Sequence, residues 1–248
     1  MATADSYSTE QFEENYPPGI KNHYWIKARN NIIYRHLKKR LGRSDLVLDI
    51  GCGTGVVLEF LNDKGIKCIG VERGIPKIEN RWADKIYFGN SLENLNESLK
   101  TKITIGLILD VLEHIQRPEI LLNSITKNLK KINYLFVTVP ARQELWSNYD
   151  DHFGHYKRYT TKELTELFRK NGYEVVEVKY FFHLLYFPLL ILSKIGHMRK
   201  VKQKSQNIKL LHSIVASFFY LEEILFWKKL FGTSIILCAK PKNVTTTY

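Results

Sequence analysis

Cysteine is scarce in this chain: 248 residues hold three, Cys52, Cys68 and Cys238. An odd number with no metal-type spacing, each in or beside an apolar run, leaves no disulfide framework and predicts buried free thiols. The opening, MATADSYSTEQFEENYPPG, lacks the basic flank and apolar core of a secretory leader, so a cytoplasmic location is expected. No apolar run approaches the twenty or so residues that a membrane-crossing helix needs. The nearest to one, YFFHLLYFPLLILSKIG, is interrupted by His183 and Pro188. Acidic residues are missing from two stretches: eight Lys or Arg lie between Lys21 and Arg43, and five between Lys194 and Lys204. Much of the formal charge of +12 collects there. Such patches suit phosphate on nucleic acid, an anionic membrane face or an acidic small substrate, or are simply solvated helix faces.

One further absence is specific. In LVLDIGCGTG, Leu46 to Gly55, the position three residues after the second glycine is Val56, so the dinucleotide fingerprint is not met. What is present is a buried-type strand breaking into Gly51, Gly53 and Gly55, which bares backbone N–H groups to a ligand. Glu72, about twenty residues on and at the end of the next apolar run, is placed to grip a ribose. The alternative is an ordinary strand-to-helix turn whose glycines serve backbone geometry alone. Asp49, the three glycines and the distal Glu72 together resemble motif I of the class I S-adenosylmethionine (SAM) dependent methyltransferases. The resemblance implies a loop, Gly51, Cys52, Gly53 and Gly55, around the methionine end of SAM, with Asp49 on its amino group and Glu72 on its ribose. The cofactor is then SAM and its product S-adenosylhomocysteine (SAH), with no metal expected.

Along the chain, residues 1–21 read as a flexible arm ending in Pro17, Pro18 and Gly19. Apolar residues at helical spacing predict a helix from Asn22 to Leu41. Strands are then expected at Leu46–Ile50, Ile66–Val71, Ile86–Phe88, Ile103–Asp110, Tyr134–Val139, Tyr173–Phe181 and Ser234–Ala239. Helices are expected at 56–64, 118–129 and 161–171, the last opened by a Thr160/Glu163 capping box. Repeated β–α–β units imply a parallel sheet with its ligands at the strands' carboxyl ends. The order of elements resembles the seven-stranded methyltransferase sheet, which implies an α/β fold: a Rossmann-like, mostly parallel sheet of seven strands, the last antiparallel beside the fifth, with helices on both faces and a helical cap. Residues 22–248 are read as a single domain carrying lid insertions at about 140–160 and 182–233, because long connections in compact domains are usually functional.

Around the cofactor, Asn90 and Ser91 follow the third strand, where the family often carries an acid facing adenine; Asn90 departs from that habit but keeps the capacity to bond adenine. Asp110, Val111, Leu112, Glu113 and His114 resemble the segment that packs beside the sulfonium and opens onto the acceptor, with His114 either shaping the pocket or acting in it. Enzymes that methylate exocyclic amines of DNA bases carry an Asp/Asn-Pro-Pro-aromatic segment there, which is lacking, so DNA is not an expected substrate. The first insertion concentrates Trp146, Asp150, Asp151, His152, His155, Arg158 and Tyr159. His155 or His152 is a candidate base, Arg158 a clamp for an acidic group, and Tyr159 a pocket wall. Two other readings stand beside these: the Asp-Asp-His-x-x-His run binds a metal, or the cluster pins the loop, with Asp151 paired to Arg158. The segment is similar to a tract in methyltransferases of the 11, 12 and 23 type, many of them in glycan or natural-product pathways.

The second insertion reads as a hydrophobic hairpin joined by the basic stretch 194–204. It either covers a greasy acceptor, sits on an anionic membrane, forms a homodimer, or packs as a cap on its own domain. Tyr24 and Trp25, with His114 and Trp146, are the candidate acceptor-side residues. The expected activity is methyl transfer to O or N of a small molecule, the candidate classes being sugar, lipid-linked and natural-product intermediates. The alternatives are an RNA or protein methyltransferase, supported by the charge alone, and a non-catalytic partner subunit.

Overall fold

The computed structural model describes residues 9–76, 81–195, 209–225 and 231–242. The elements, in order, are α1 (Thr9–Asn15), α2 (Tyr24–Lys38), β1 (Leu46–Ile50), α3 (Val56–Asp63), β2 (Cys68–Glu72), β3 (Ile86–Phe88), α4 (Glu97–Lys100), β4 (Ile103–Leu109), α5 (Pro118–Asn128), β5 (Tyr134–Pro140), α6 (Asn148–His152), α7 (Thr161–Lys170), β6 (Tyr173–Phe181), α8 (Tyr186–Lys194), α9 (Lys209–Leu225) and β7 (Ser234–Pro241). They form one seven-stranded sheet in the order β3-β2-β1-β4-β5-β7-β6. The neighbours from β3 to β5 pair in parallel, and β7 runs antiparallel to both β5 and β6.

The central strands are apolar almost throughout because both faces are covered. On one face Leu48, Ile108, Val137 and Leu237 pack with Leu122 and Ile125 of α5 and Leu164 and Phe168 of α7. On the other, Val47, Leu107, Phe136 and Ile236 pack with Ile32 and Leu37 of α2, Leu58 and Leu61 of α3, and Phe219 of α9. Strand order reverses between β1 and β4, and ligands of open α/β sheets bind outside the carboxyl ends at such a point.

Two segments differ from expectation. Where a flexible arm is expected, α1 and the turn after it fold back on the sheet, with Phe12 buried and Tyr16 half-buried at the β1 and β2 loop ends. An arm rich in polar residues still carries two aromatic rings four apart, one helical turn, and these supply the apolar contact. The first insertion is not an open loop: it holds α6, begun by a capping box in which Ser147 and Asp150 satisfy each other's backbone N–H groups. The Thr160/Glu163 box at α7 forms as expected.

The second insertion supplies α8 and α9, while its basic stretch from 196 to 204, with Phe226 and Trp227, lies outside the described residues. One face of α9 lies on α2: Glu223 pairs with Arg35 and with His36 Nε2 (3.2 Å), and Lys27 Nζ donates to Ser213 Oγ (2.8 Å). The rings of Tyr24 and Phe219 stack at 5.9 Å. The opposite face is apolar and exposed, with Leu210, Ile214, Phe218, Leu221 and Leu225; Phe187 and Ile191 of α8 are exposed as well. Among the described residues no helix is long and apolar enough to cross a membrane.

Candidate active site

The carboxyl ends of β1, β2, β4 and β5 open into a cavity of about 1000 Å³. Gly51 and Gly53 form its floor after β1. Gly51 has φ +73°, and a Cβ there would stand 2.8 Å from Val111 Cγ2. Gly53 has φ +55°, and a Cβ there would strike the Tyr16 ring. The left-handed backbone and the close neighbours both call for glycine. The Gly53 and Gly74 amides donate to Glu72 Oε2 (2.8 Å) and Oε1 (3.0 Å), so the carboxylate is fixed at the cavity wall with lone pairs to spare.

Asp49, 2% exposed, lies behind this wall, and its Oδ1 has no hydrogen-bond partner among the described residues. Burial raises its carboxyl to about 7; Arg29 opposes the rise and Glu72 adds to it. Burial also pushes the Tyr16 hydroxyl up, against the pull of Arg29. Asp110 ends β4 at φ +55°, accepts from Thr138 Oγ1 (3.0 Å), and pairs with Arg29. Arg29 stacks on Trp25 at 4.9 Å. A glycine floor, an orphaned buried carboxylate oxygen and a braced second carboxylate fit a ligand that carries both a cationic amino group and vicinal hydroxyls. Asn90 and Ser91 line the same cavity; Asn90 Nδ2 donates to the Phe88 carbonyl (3.0 Å), which turns its side-chain oxygen into the acceptor that remains. Cys52 contributes no side chain here: its sulfur is buried under Gly70, where burial holds the thiol well above the usual range.

The other end of the cavity is walled by Tyr24, Trp25, Glu113, His114, His155 and Arg158, with Leu185, Leu189 and Leu192 from α8 and the turn before it. Asp150 organises this end. Its carboxylate, fully buried, accepts from Arg158 Nε (2.9 Å) and Nη2 (3.0 Å) and bonds His155 Nδ1 (2.8 Å). Burial alone would raise its pKa, but His155 and Arg158 prevail and hold it at about 2. The His155 and His114 rings meet edge to face at 4.6 Å, and burial lowers His114 to about 3, so it stays neutral.

Several expected roles change. Arg158 pairs with Asp150 rather than Asp151, and both prongs of its fork are engaged, so it braces the loop instead of clamping an acceptor. Tyr159 is not a pocket wall. A β-bridge between Ala141 and Tyr159 turns its ring into the core, where Oη donates to the Leu112 carbonyl (3.3 Å). His152 faces outward and bonds Glu14 (2.7 Å), and Trp146 Nε1 donates to Asp151 (2.9 Å); neither side chain lines the cavity. Phe12, Tyr16 and Arg29, none of them among the residues the sequence singles out, also line it. Arg29 had a signal: it occupies a position that the apolar repeat of α2, through Ile26 and Ile33, assigns to the buried face.

This sheet, its reversed strand order and the glycine, Asp49 and Glu72 constellation define a class I SAM-dependent methyltransferase. The chain belongs to the Methyltransf_23 family, described as a methyltransferase domain, whose model matches residues 24–178. It is 27% identical over 181 residues to the C-methyltransferase NovU of Streptomyces niveus, covering 65% of this chain and 43% of NovU. It thus spans less than half the length of that relative. A probable S-adenosylmethionine-dependent methyltransferase of Mycolicibacterium smegmatis is 24% identical over 177 residues, 69% of this chain and 67% of that one. The fold is similar to that of the Burkholderia thailandensis 1,6-didemethyltoxoflavin-N1-methyltransferase with bound SAH (TM-score 0.54, 15% identity, 95% and 87% of the two chains). SAM is the cofactor of the family and of this chain.

Proposed function

We propose that the chain transfers a methyl group from SAM to oxygen or nitrogen of a small molecule, of the sugar, lipid-linked or natural-product class. The observation that carries this reading is one continuous cavity. Its glycine and Glu72 end suits a nucleoside with an amino-acid tail, and its His155 and α8 end joins a polar group to an apolar wall. Asp49, Gly51, Gly53, Gly55 and Glu72 hold the cofactor, with Asn90 at the adenine and Asp110 and Val111 beside the sulfonium. When bound, SAM supplies an electrophilic methyl group and leaves as SAH. Catalysis is then mostly positioning plus removal of the acceptor's proton. His155 is suited to that proton because Asp150 fixes its Nδ1, and with it the tautomer. His155→Ala should leave SAM binding intact, read by calorimetry, and lower turnover on a responsive acceptor by about 10²-fold or more. Unchanged turnover would remove the base, and an acceptor screen with labelled SAM tests the substrate class itself.

The exposed apolar faces of α8 and α9 favour a lipid-linked acceptor reached at an anionic membrane surface. Lys194 and Lys209 flank those faces, and the sequence between Lys194 and Lys204 is basic without an acid. The chain should sediment with phosphatidylglycerol vesicles and not with phosphatidylcholine vesicles, binding should fall with salt, and Ile214→Glu with Phe218→Glu should abolish it. Equal binding to both, or a stable dimer burying these faces, would reject the membrane contact.

A further inference from the structure

The Asp-Asp-His-x-x-His run disperses in the fold, since Asp150 is held by Arg158 and His155, Asp151 by Trp146, and His152 by Glu14. A different trio converges. Glu113 and His114 lie in the turn after β4, and His155 follows α6; the Tyr156 amide donates to the Glu113 carbonyl (2.7 Å) and ties the two segments together. One ligand atom from each of the three residues lies within 4.8 Å of the other two.

We infer that Glu113, His114 and His155 form a site for one divalent first-row metal ion in the acceptor end of the cavity. Three observations carry it besides proximity. Glu113 is 1% exposed and its Oε2 has no hydrogen-bond partner among the described residues, a costly state for a buried carboxylate that a cation would relieve. Each imidazole is oriented by an acceptor on one ring nitrogen: His155 Nδ1 by Asp150 (2.8 Å), and His114 by the backbone of Phe153. This is how metal-ligating histidines are held, with a carboxylate or carbonyl fixing the ring and the second nitrogen ligating. All three residues also line the cavity, so the coordination positions they leave open face the acceptor.

Two imidazoles and one carboxylate suit zinc, manganese or iron, with ligand bonds of about 2.0–2.2 Å for zinc, so the trio closes by about an ångström onto the ion. Three protein ligands leave room for oxygen ligands from the acceptor. This deepens the methyltransferase reading, on which the cation's role rests although its binding does not. The acceptor is an alcohol or phenol, best with a second hydroxyl beside the first. The cation takes the acceptor oxygen as a Lewis acid, the hydroxyl proton passes to solvent, and the oxygen attacks the methyl carbon as the carbon–sulfur bond breaks. His155 Nε2 then holds the ion rather than the proton.

The test uses the full chain stripped with a chelator and titrated with Zn²⁺, Mn²⁺ and Co²⁺, while SAM binding and the thermal midpoint are followed in parallel. One equivalent should bind, Co²⁺ should give ligand-field bands in the visible, and Glu113→Gln and His114→Asn should each weaken binding at least tenfold while SAM still binds. No stoichiometric binding to the stripped chain overturns the site, as does undiminished binding in folded variants. SAM binding without metal binding rejects the site and leaves the methyltransferase reading standing; metal binding without SAM binding does the reverse.

Discussion

Replacing Glu72 with Ala should raise the SAM dissociation constant roughly 100-fold, about 2.7 kcal/mol, with little loss of fold. Glu72 sits at the rim of the cavity rather than in the core, and its carboxylate accepts from the Gly53 and Gly74 amides while lining the cavity. On the proposed SAM pose, its removal would delete charge-assisted bonds to the ribose hydroxyls and free the loop that carries the floor. Calorimetric titration of SAM and SAH measures the effect, and a change under threefold would show that Glu72 serves the loop alone. Asp49 adds a pH signature to the same experiment. Its folded pKa is raised to about 7 by burial, so in the free protein it is neutral below that value and ionised above it. Pairing with a cationic amino group requires the ionised form. SAM affinity should therefore weaken up to tenfold per unit as pH falls below 7, and Asp49→Asn should flatten the dependence while lowering affinity at every pH.

Asp150→Ala should cost about 3–5 kcal/mol of stability, a fall in the thermal midpoint of roughly 10 °C. The substitution strands the Arg158 guanidinium, buried with two bonds lost, and releases His155 from its orienting partner. Because the penalty is an unpaired buried charge, the double variant Asp150→Ala, Arg158→Met should recover most of the stability. Recovery of stability without recovery of turnover would separate the brace from the chemistry. The same pair predicts the acid limb. Asp150 has a folded pKa depressed to about 2 against an ordinary value of 3.8, so its contribution is present above pH 4 and is lost as pH falls toward 2.

The sheet was legible because its cues are local. Apolar runs bounded by Gly51, Gly65 and Gly172, and the Thr160/Glu163 box, place most element ends within a residue or two of those observed. Long-range partners were not legible. Whether Asp150 or Asp151 meets Arg158 is a question of helical phase in a five-residue helix; Ser147 three residues before Asp150 was the available cue. Tyr16 and Phe12 fall within the expected arm because their packing depends on the cavity mouth, which no periodicity within residues 1–21 encodes. The turn of Tyr159 into the core is set by its bridge to Ala141, eighteen residues away.

The position of β7 has a consequence for how the molecule is made. Among the described residues β6 pairs with β7 and with no other strand, and β7 is inserted between β6 and β5. During synthesis, β6 leaves the ribosome about fifty residues before its neighbour exists, and for that interval both it and the open side of β5 present unpaired backbone. Closing the gap means bringing together segments separated by α8 and α9, a slow step because loop entropy is spent before any pairing is gained. The exposed leucines and phenylalanines of those helices must wait through it, which makes this interval the one in which nascent chains are most open to capture by chaperones or by each other.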